Sequence, residues 1–207
     1  MDARENLMAG IIEIEWRMFQ DVSNIGGRAS CQDDFKTFQI MRSSQVASWS
    51  EETVESYLDD LRTAESSGRN LLTEKYARMM ASTSPSEYAR IKHMLTPIDS
   101  EALELIEHIL SIVVGWEKEL LEKYPNILGK GRPLFSSEDS PMVTSLETYL
   151  KGELETYSLR TLKRLLAHMR RQQSENVNGS AIVLLDMMKR YGFNSLEEAN
   201  QKLVSSS

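Results

Sequence analysis

Apolar residues recur every three to four positions along most of the chain, which is the spacing of amphipathic α-helices. Convincing stretches of alternating apolar and polar residues, typical of half-buried β-strands, are missing from the sequence. The pattern predicts an all-α protein, a single-domain bundle of about seven to nine helices.

Capping residues and breakers indicate where the helices begin and end. Ser84, Pro85 and Glu87 form the clearest start, with a serine N-cap, a proline at the first position and a glutamate at the third. Gly192 is typical of a C-terminal cap, and Ser195 opens a short final helix. We expect helices over about 3–22, 31–49, 51–80 with a bend near Gly68, 85–97, 100–124, 142–157, 159–173, 180–191 and from 195 onward.

The segment 125–141 interrupts the helical pattern. It contains or is bounded by Gly129, Gly131, Pro133 and Pro141, so we expect a long loop or lid. We take residues 1–207 as one domain, in which the helical hairpin over about 178–204 can be read as an appendage.

Composition is that of a soluble globular protein, with 41% apolar and 27% charged residues. No apolar run reaches the roughly 18 residues of a membrane span, and charged residues stand where a signal peptide needs an apolar core. We therefore expect a cytoplasmic protein without a membrane partner. The single cysteine, Cys31, excludes an intramolecular disulfide and a multi-cysteine metal site.

A net charge of −7 disfavours broad nucleic-acid binding, which needs a surplus of lysine and arginine. A basic helix over 160–171 is either a solvated face or a local patch for nucleotide or RNA chemistry. His108 follows Glu104 by four residues, but both point away from the apolar stripe of their helix. We predict no protein-ligated metal and no cofactor.

Glu15 lies where the first helix should be most apolar. Projection at about 100° per residue gathers Met8, Ile11, Ile12 and Phe19 on one side, with Glu15 near its centre. Burying an unpaired carboxylate costs several kcal/mol. Glu15 therefore needs a cationic partner, a proton or a hydrated cavity.

Other helices also direct polar groups inward. Arg42 and Gln45 lie within the apolar side of the second helix, and Lys75 lies at the margin of the third. Glu153 lies near the apolar side of a later helix, either as a second acid across the cavity or as a solvated glutamate. This convergence favours a shared polar cavity. The alternative is a structural ion-pair network of Glu15 with Arg42 or Lys75.

The stretch NIGGRASCQ between the first two helices has two interpretations. Its glycine amides and Arg28 can cradle an anion, or Gly26 and Gly27 simply let the chain reverse. Cys31 can likewise be a nucleophile at a helix N-terminus or a packed thiol.

Three stretches carry a family resemblance: EIEWRMFQDVSNIGGRASCQDDFKTFQIMRSSQVASW, GRNLLTEKYARMM and TSLETYLKGELETYS. They resemble a bacterial family, domain of unknown function 4125, over nearly the whole chain up to the basic helix. The resemblance implies no established reaction. It implies these motif residues: Glu15, Trp16, Asn24, Gly26, Gly27, Arg28, Cys31, Gln32, Arg42, Gln45, Trp49, Arg69, Asn70, Glu74, Lys75 and Tyr76.

We predict a cofactor-independent lyase or hydrolase acting on a small polar or aromatic metabolite. The predicted catalytic residues are Glu15, Arg42, Lys75 and Tyr76. The predicted ligand-binding residues are Trp16, Asn24, Arg28, Cys31, Gln45, Trp49, Arg69, Asn70, Glu74 and Glu153. The alternatives are a non-catalytic ligand-binding or protein-interaction module with a buried ion-pair network, and a partner of nucleotide or RNA chemistry. A homodimer stays open.

Overall fold

Eleven α-helices form the described part of the chain, residues 2–23 and 27–203, in the computed structural model. They are α1 (Ala3–Gln20), α2 (Phe35–Ala47), α3 (Glu51–Ser66), α4 (Leu71–Thr83), α5 (Pro85–Ile91), α6 (Ser100–Lys123), α7 (Pro125–Leu128), α8 (Leu146–Leu154), α9 (Leu159–Ser174), α10 (Gly179–Arg190) and α11 (Leu196–Lys202). Short 3₁₀ turns lie at Ser30–Asp33, Lys92–Met94 and Ser136–Glu138. The all-α prediction is confirmed, since these residues contain no β-strand and only an isolated bridge between Ser140 and Val143.

The helix count exceeds the predicted seven to nine for two local reasons. The stretch predicted as one bent helix over 51–80 is two helices, because Gly68 has a φ of +71° and ends α3. Asn70 then caps α4 by accepting the Thr73 amide at 2.9 Å. The second addition is α7, which begins with Pro125 at its first position.

The predicted helix starts differ in detail from the observed ones. The helix expected from Cys31 begins only at Phe35, after a 3₁₀ turn, with Asp34 accepting the Thr37 amide at 3.0 Å. Ser84 makes no side-chain cap to α5, although Pro85 occupies the first position as expected. Ser195 caps α11 by accepting the Glu198 amide at 3.1 Å.

The segment over 125–141 is fastened to the helices beside it. Asp139 accepts hydrogen bonds from the Ser145 amide at 2.6 Å, the Thr148 hydroxyl at 2.5 Å and the Ser82 hydroxyl at 2.5 Å. Hydrogen bonds to its carboxylate outweigh its partial burial and lower the pKa of Asp139. The segment is thus tied to both α4 and α8.

The main core lies where α1 packs on α3, α4 on α8, and α6 on α9. Its fully buried side chains include Ile11, Tyr57, Leu61, Ile106 and Ile109. A second cluster joins α6, α10 and α11, and α10 also packs against α2. Across the residues that the structure describes, no helix combines the length and apolar character needed to cross a membrane.

At Gly152, α8 approaches the backbone of α4 closely. A Cβ there would lie 2.9 Å from the Lys75 carbonyl oxygen and 2.9 Å from Met79 Cγ. Backbone cannot yield as a side-chain end can, so we expect Gly152→Ala to lower the free energy of unfolding by about 1–3 kcal/mol. Urea unfolding followed by circular dichroism measures this loss.

Gly115 on α6 supplies the matched control. A Cβ there meets no atom within 4 Å. Gly115→Ala should raise the free energy of unfolding by up to about 1 kcal/mol through helix propensity. Similar effects of the two substitutions would show that the close approach at Gly152 is not a constraint.

Candidate functional site

Four charged side chains from four helices meet in the interior: Glu15 of α1, Arg42 of α2, Lys75 of α4 and Glu153 of α8. We call them the charged cluster. Arg42 donates from Nε to Glu15 Oε2 at 2.6 Å and from Nη2 to Glu15 Oε1 at 2.5 Å. Its Nη1 donates to Glu153 Oε1 at 2.9 Å, and Lys75 Nζ donates to Glu153 Oε2 at 2.5 Å. Two cations thus balance two carboxylates.

Three uncharged side chains complete the hydrogen bonds of this cluster. The Tyr57 hydroxyl donates to Glu15 Oε1 at 2.6 Å, and the Tyr157 hydroxyl donates to Glu153 Oε1 at 2.7 Å. Gln45 accepts from Arg42 Nη1 at 2.6 Å and donates to Glu153 Oε1 at 3.1 Å. Each carboxylate oxygen therefore accepts at least one hydrogen bond, as buried charges require.

Local sequence explains how these side chains reach one another. The helical repeat of α1 places Glu15 on the same inward side as Ile11 and Phe19. On α8 the missing side chain of Gly152 lets the helix approach the Lys75 backbone, so that the neighbouring Glu153 reaches the Lys75 ammonium. A larger residue at position 152 would separate the pair.

The electrostatics of the cluster shift the pKa values of Glu153, Lys75 and the two tyrosines. Burial alone would raise the pKa of Glu153, but the charges of Lys75 and Arg42 hold it far below its usual value. Burial would lower the pKa of Lys75, yet the charge of Glu153 raises it. Burial also raises the pKa of Tyr57 and of Tyr157. At neutral pH Glu153 is ionised and both tyrosines keep their protons.

A cavity of about 470 Å³ lies beside the charged cluster. Its walls are mostly apolar and aromatic, with side chains from α1, α2, α3, α4, α6, α8, α9 and α10. The apolar lining includes Phe19, Phe38, Met41, Leu72, Val113, Trp116, Leu150, Val183 and Met187. The volume falls within the range of about 300–1,000 Å³ that small-molecule sites occupy.

Eight of the residues predicted from sequence to form a site line this cavity: Glu15, Cys31, Arg42, Gln45, Trp49, Lys75, Tyr76 and Glu153. The Trp49 ring lies edge-on to Tyr57, with 5.5 Å between centroids. Burial raises the pKa of the half-buried Tyr76. Cys31 is exposed in the 3₁₀ turn, at the outer wall.

Other predicted ligand-binding residues hold the helices together instead. Arg69 and Glu74 form a bidentate ion pair with two contacts of 2.8 Å. Asn70, besides capping α4, donates to the Met18 carbonyl at 2.8 Å. The Trp16 ring packs 5.0 Å from Phe35 between centroids. None of these four predicted residues is among the described residues that line the cavity.

The turn after α1 ties the end of that helix to the following segment. The buried Gln32 amide donates to the Phe19 carbonyl at 2.8 Å and to the Val22 carbonyl at 3.0 Å. Arg28 pairs with Asp33 at 2.9 Å and is not among the cavity-lining residues. Gly27 has a φ of +87°, which suits a chain reversal. Asn24 and Gly26, also predicted from sequence, lie outside the described residues.

The comparison with protein families decides the identity of the chain. A family model described as "Protein of unknown function (DUF4125)" matches residues 5–201. The chain belongs to the DUF4125 family. Comparison with curated proteins gave no match, and neither did comparison with solved structures. Membership confirms the resemblance seen in the sequence and assigns no reaction, so the function of this DUF4125 chain has to be argued from its site.

Several cavity residues of the DUF4125 chain were not among the predicted site residues. Tyr57 and Tyr149 stand on inward faces of their helices, and Tyr157 lies between α8 and α9; their hydroxyl groups were the available signal. Arg132 follows Gly131 in the segment predicted as a loop, where sequence does not set the direction of a side chain. Glu117 lies four residues after Val113 on the apolar stripe of α6, a position that helix projection could have marked.

Arg132 differs in its partners from Arg42 and Lys75, which also line the cavity. It is exposed, its Nη1 donates to the Thr144 carbonyl at 3.1 Å, and its guanidinium carbon lies 4.7 Å from the Tyr149 ring centroid. Lys75 Nζ lies 3.5 Å from the centroid of the same ring. Within residues 2–23 and 27–203, Arg132 has no carboxylate partner.

The basic helix α9 of this DUF4125 chain is partly neutralised by its neighbours. Arg160 pairs with Asp59 at 2.9 Å and Lys163 with Glu101 at 2.7 Å. His168 Nε2 lies 2.9 Å from the Ser48 carbonyl oxygen. In the described part of the chain, no group of three or more His, Cys, Asp or Glu side chains is placed to hold a metal ion.

Proposed function

We propose that this protein binds a small molecule with an apolar or aromatic body and an anionic group in the cavity beside the charged cluster. The observation that carries the proposal is Arg132, a cation on the cavity wall without a carboxylate partner among the described residues. The apolar walls suit the body of such a ligand, and a guanidinium suits a carboxylate or phosphate group.

Lys75 can assist Arg132 in holding the anionic group. An ammonium has three N–H donors, of which one is used by Glu153. Both cations lie against the Tyr149 ring, which also lines the cavity. The charge of Lys75 is compensated by Glu153, so Arg132 contributes the greater share of the attraction.

Binding is better supported than proton transfer by the charged cluster. Glu153 is held ionised between two cations, and a carboxylate with so low a pKa is a weak general base. Both oxygens of Glu15 already accept hydrogen bonds from Arg42. The lyase or hydrolase roles of Glu15, Arg42, Lys75 and Tyr76 stay predictions. A purely structural network accounts for the ion pairs but not for the open volume beside them.

Phenylpropyl compounds with different head groups test the anion site. We expect 3-phenylpropionate to bind about tenfold more tightly than uncharged 3-phenylpropan-1-ol, since a hydrogen bond to a charged group is worth about 1.5 kcal/mol or more. Arg132→Met should remove this advantage without changing the melting temperature, because the side chain is exposed. Calorimetry or ligand-observed NMR measures both affinities.

Filling the cavity tests whether the probes bind inside it. Val183 lines the cavity, whereas its neighbour Ile182 on α10 is 40% exposed and is not among the described residues that line the cavity. Val183→Trp should abolish probe binding, and Ile182→Trp should leave it unchanged. Absence of binding to the unaltered protein, or equal binding to both variants, would overturn the proposal.

A further inference from the structure

A second polar site lies on another wall of the cavity, which α6 and α10 form and to which the helices of the charged cluster do not contribute. Glu117 of α6 and Ser180 of α10 line the cavity there. The start of α10 is held against α6, because Asn178 Nδ2 donates to the Trp116 carbonyl at 3.2 Å. A Cβ at Gly179 would lie only 2.7 Å from Trp116 Cζ3, so the backbone approaches the indole directly. Glu117 follows Trp116 and Ser180 follows Gly179, so this contact brings the backbones that carry the two residues together.

Glu117 lacks the compensating charges that the buried carboxylates Glu15 and Glu153 receive. Glu15 and Glu153 each pair with at least one cation, but Glu117 has no ion pair within the described residues. Burial raises the pKa of Glu117, and a hydrogen bond with the Ser180 side chain is the opposing effect. A carboxyl group in such a place is stabilised by any positively charged partner that enters the cavity.

We infer that Glu117, with the Ser180 hydroxyl, binds an ammonium group of the ligand. The inference rests on the proposed function and adds to it, because it makes the ligand a molecule that carries an amine as well as an acid. An ammonium supplies three N–H donors, enough for the Glu117 carboxylate and for the Ser180 oxygen as acceptors. Charge pairing in this half-buried position offsets the cost of removing the carboxylate from water.

Substitution of Glu117 distinguishes a structural role from a ligand-binding role. A carboxylate near the first turn of α10 favours that helix by itself. Glu117→Gln keeps an acceptor oxygen for Ser180 and removes only the charge. If Glu117 binds the ligand, this substitution weakens amine binding alone. Glu122→Gln is the matched control, since Glu122 is an exposed glutamate on the same helix.

The experiment measures the affinities of 3-phenylpropylamine, 3-phenylpropan-1-ol and 3-phenylpropionate for the unaltered full chain and for both variants. We expect Glu117→Gln to weaken the amine about tenfold or more, and to leave the alcohol, the carboxylate and the melting temperature unchanged. Glu122→Gln should change none of them. In the unaltered protein, amine affinity should rise with pH as Glu117 ionises, while the affinity of the alcohol stays constant.

Two results would overturn the inference. One is equal amine binding to Glu117→Gln and the unaltered protein, and the other is a loss shared equally by all three probes. If either result is found while 3-phenylpropionate binding still depends on Arg132, the inference of an amine site is refuted. The proposed function then remains supported. Failure of all three probes to bind the unaltered protein refutes the proposed function and the inference with it.

Discussion

Arg42→Met is expected to lower the free energy of unfolding by about 3–5 kcal/mol, the cost of removing one partner from a buried ion pair. Arg42 donates two hydrogen bonds to the Glu15 carboxylate and one to Glu153. Glu15 accepts one further hydrogen bond, from the Tyr57 hydroxyl. Methionine fills similar space but leaves Glu15 without a cation in the interior. Urea unfolding at neutral pH, followed by circular dichroism, measures the loss.

Arg17 provides a control with the same number of ion pairs. It contacts Glu13 at 2.6 Å and Glu65 at 2.7 Å, but its side chain is 49% exposed, against 12% for Arg42. Water screens exposed pairs, so Arg17→Met should cost about 1 kcal/mol or less. Equal losses for the two arginines would show that burial does not make the charged cluster special.

Glu153→Gln is expected to cost about 3–5 kcal/mol near neutral pH, because it leaves Lys75 buried without its carboxylate. The cost should shrink in acid. The folded state lowers the pKa of Glu153 below its ordinary value of 4.5, so the stability it contributes is complete above that pH. This stability is lost as the pH falls from there toward the depressed pKa. The glutamine variant lacks that titration.

Free energies of unfolding at several pH values between 7 and 3 measure this convergence. Glu107→Gln is the control, since Glu107 also pairs with a lysine, Lys151 at 2.8 Å, but on the surface. That substitution should cost about 1 kcal/mol or less at neutral pH. A difference between Glu153→Gln and the unaltered protein that stays constant down to pH 3 would contradict the proposed ionisation of Glu153.

The charged cluster can stabilise the fold and also form one wall of a ligand-binding cavity. The paired charges join α1, α2, α4 and α8. They therefore fix the wall against which a ligand would lie. A ligand that binds only the folded chain raises its stability by mass action, so binding to the cavity should also raise the melting temperature of the unaltered protein. The ion pairs fix this wall, whereas Arg132 and Glu117, which have no ion pair within the described residues, are the groups proposed to bind the ligand.

The periodicity of the sequence was enough to predict the helical fold and the inward direction of Glu15, Arg42 and Gln45. A helix turns by about 100° per residue, so the apolar stripe of each segment defines its buried side before any packing is known. The effect of helix-breaking residues was harder to predict from the sequence. Gly68 and Asn70 together end one helix and begin another where a bend was expected.

Only the tertiary structure decided which charges pair. Lys75 binds Glu153, 78 residues away, and not Glu15, because Gly152 lets α8 approach the backbone of α4. Packing likewise directed the Asn70 side-chain amide to the Met18 carbonyl and placed Glu117 on the cavity wall. Helical periodicity sets the direction of a side chain about its own axis. The distance and rotation between two helices depend on contacts made by residues far apart in the chain.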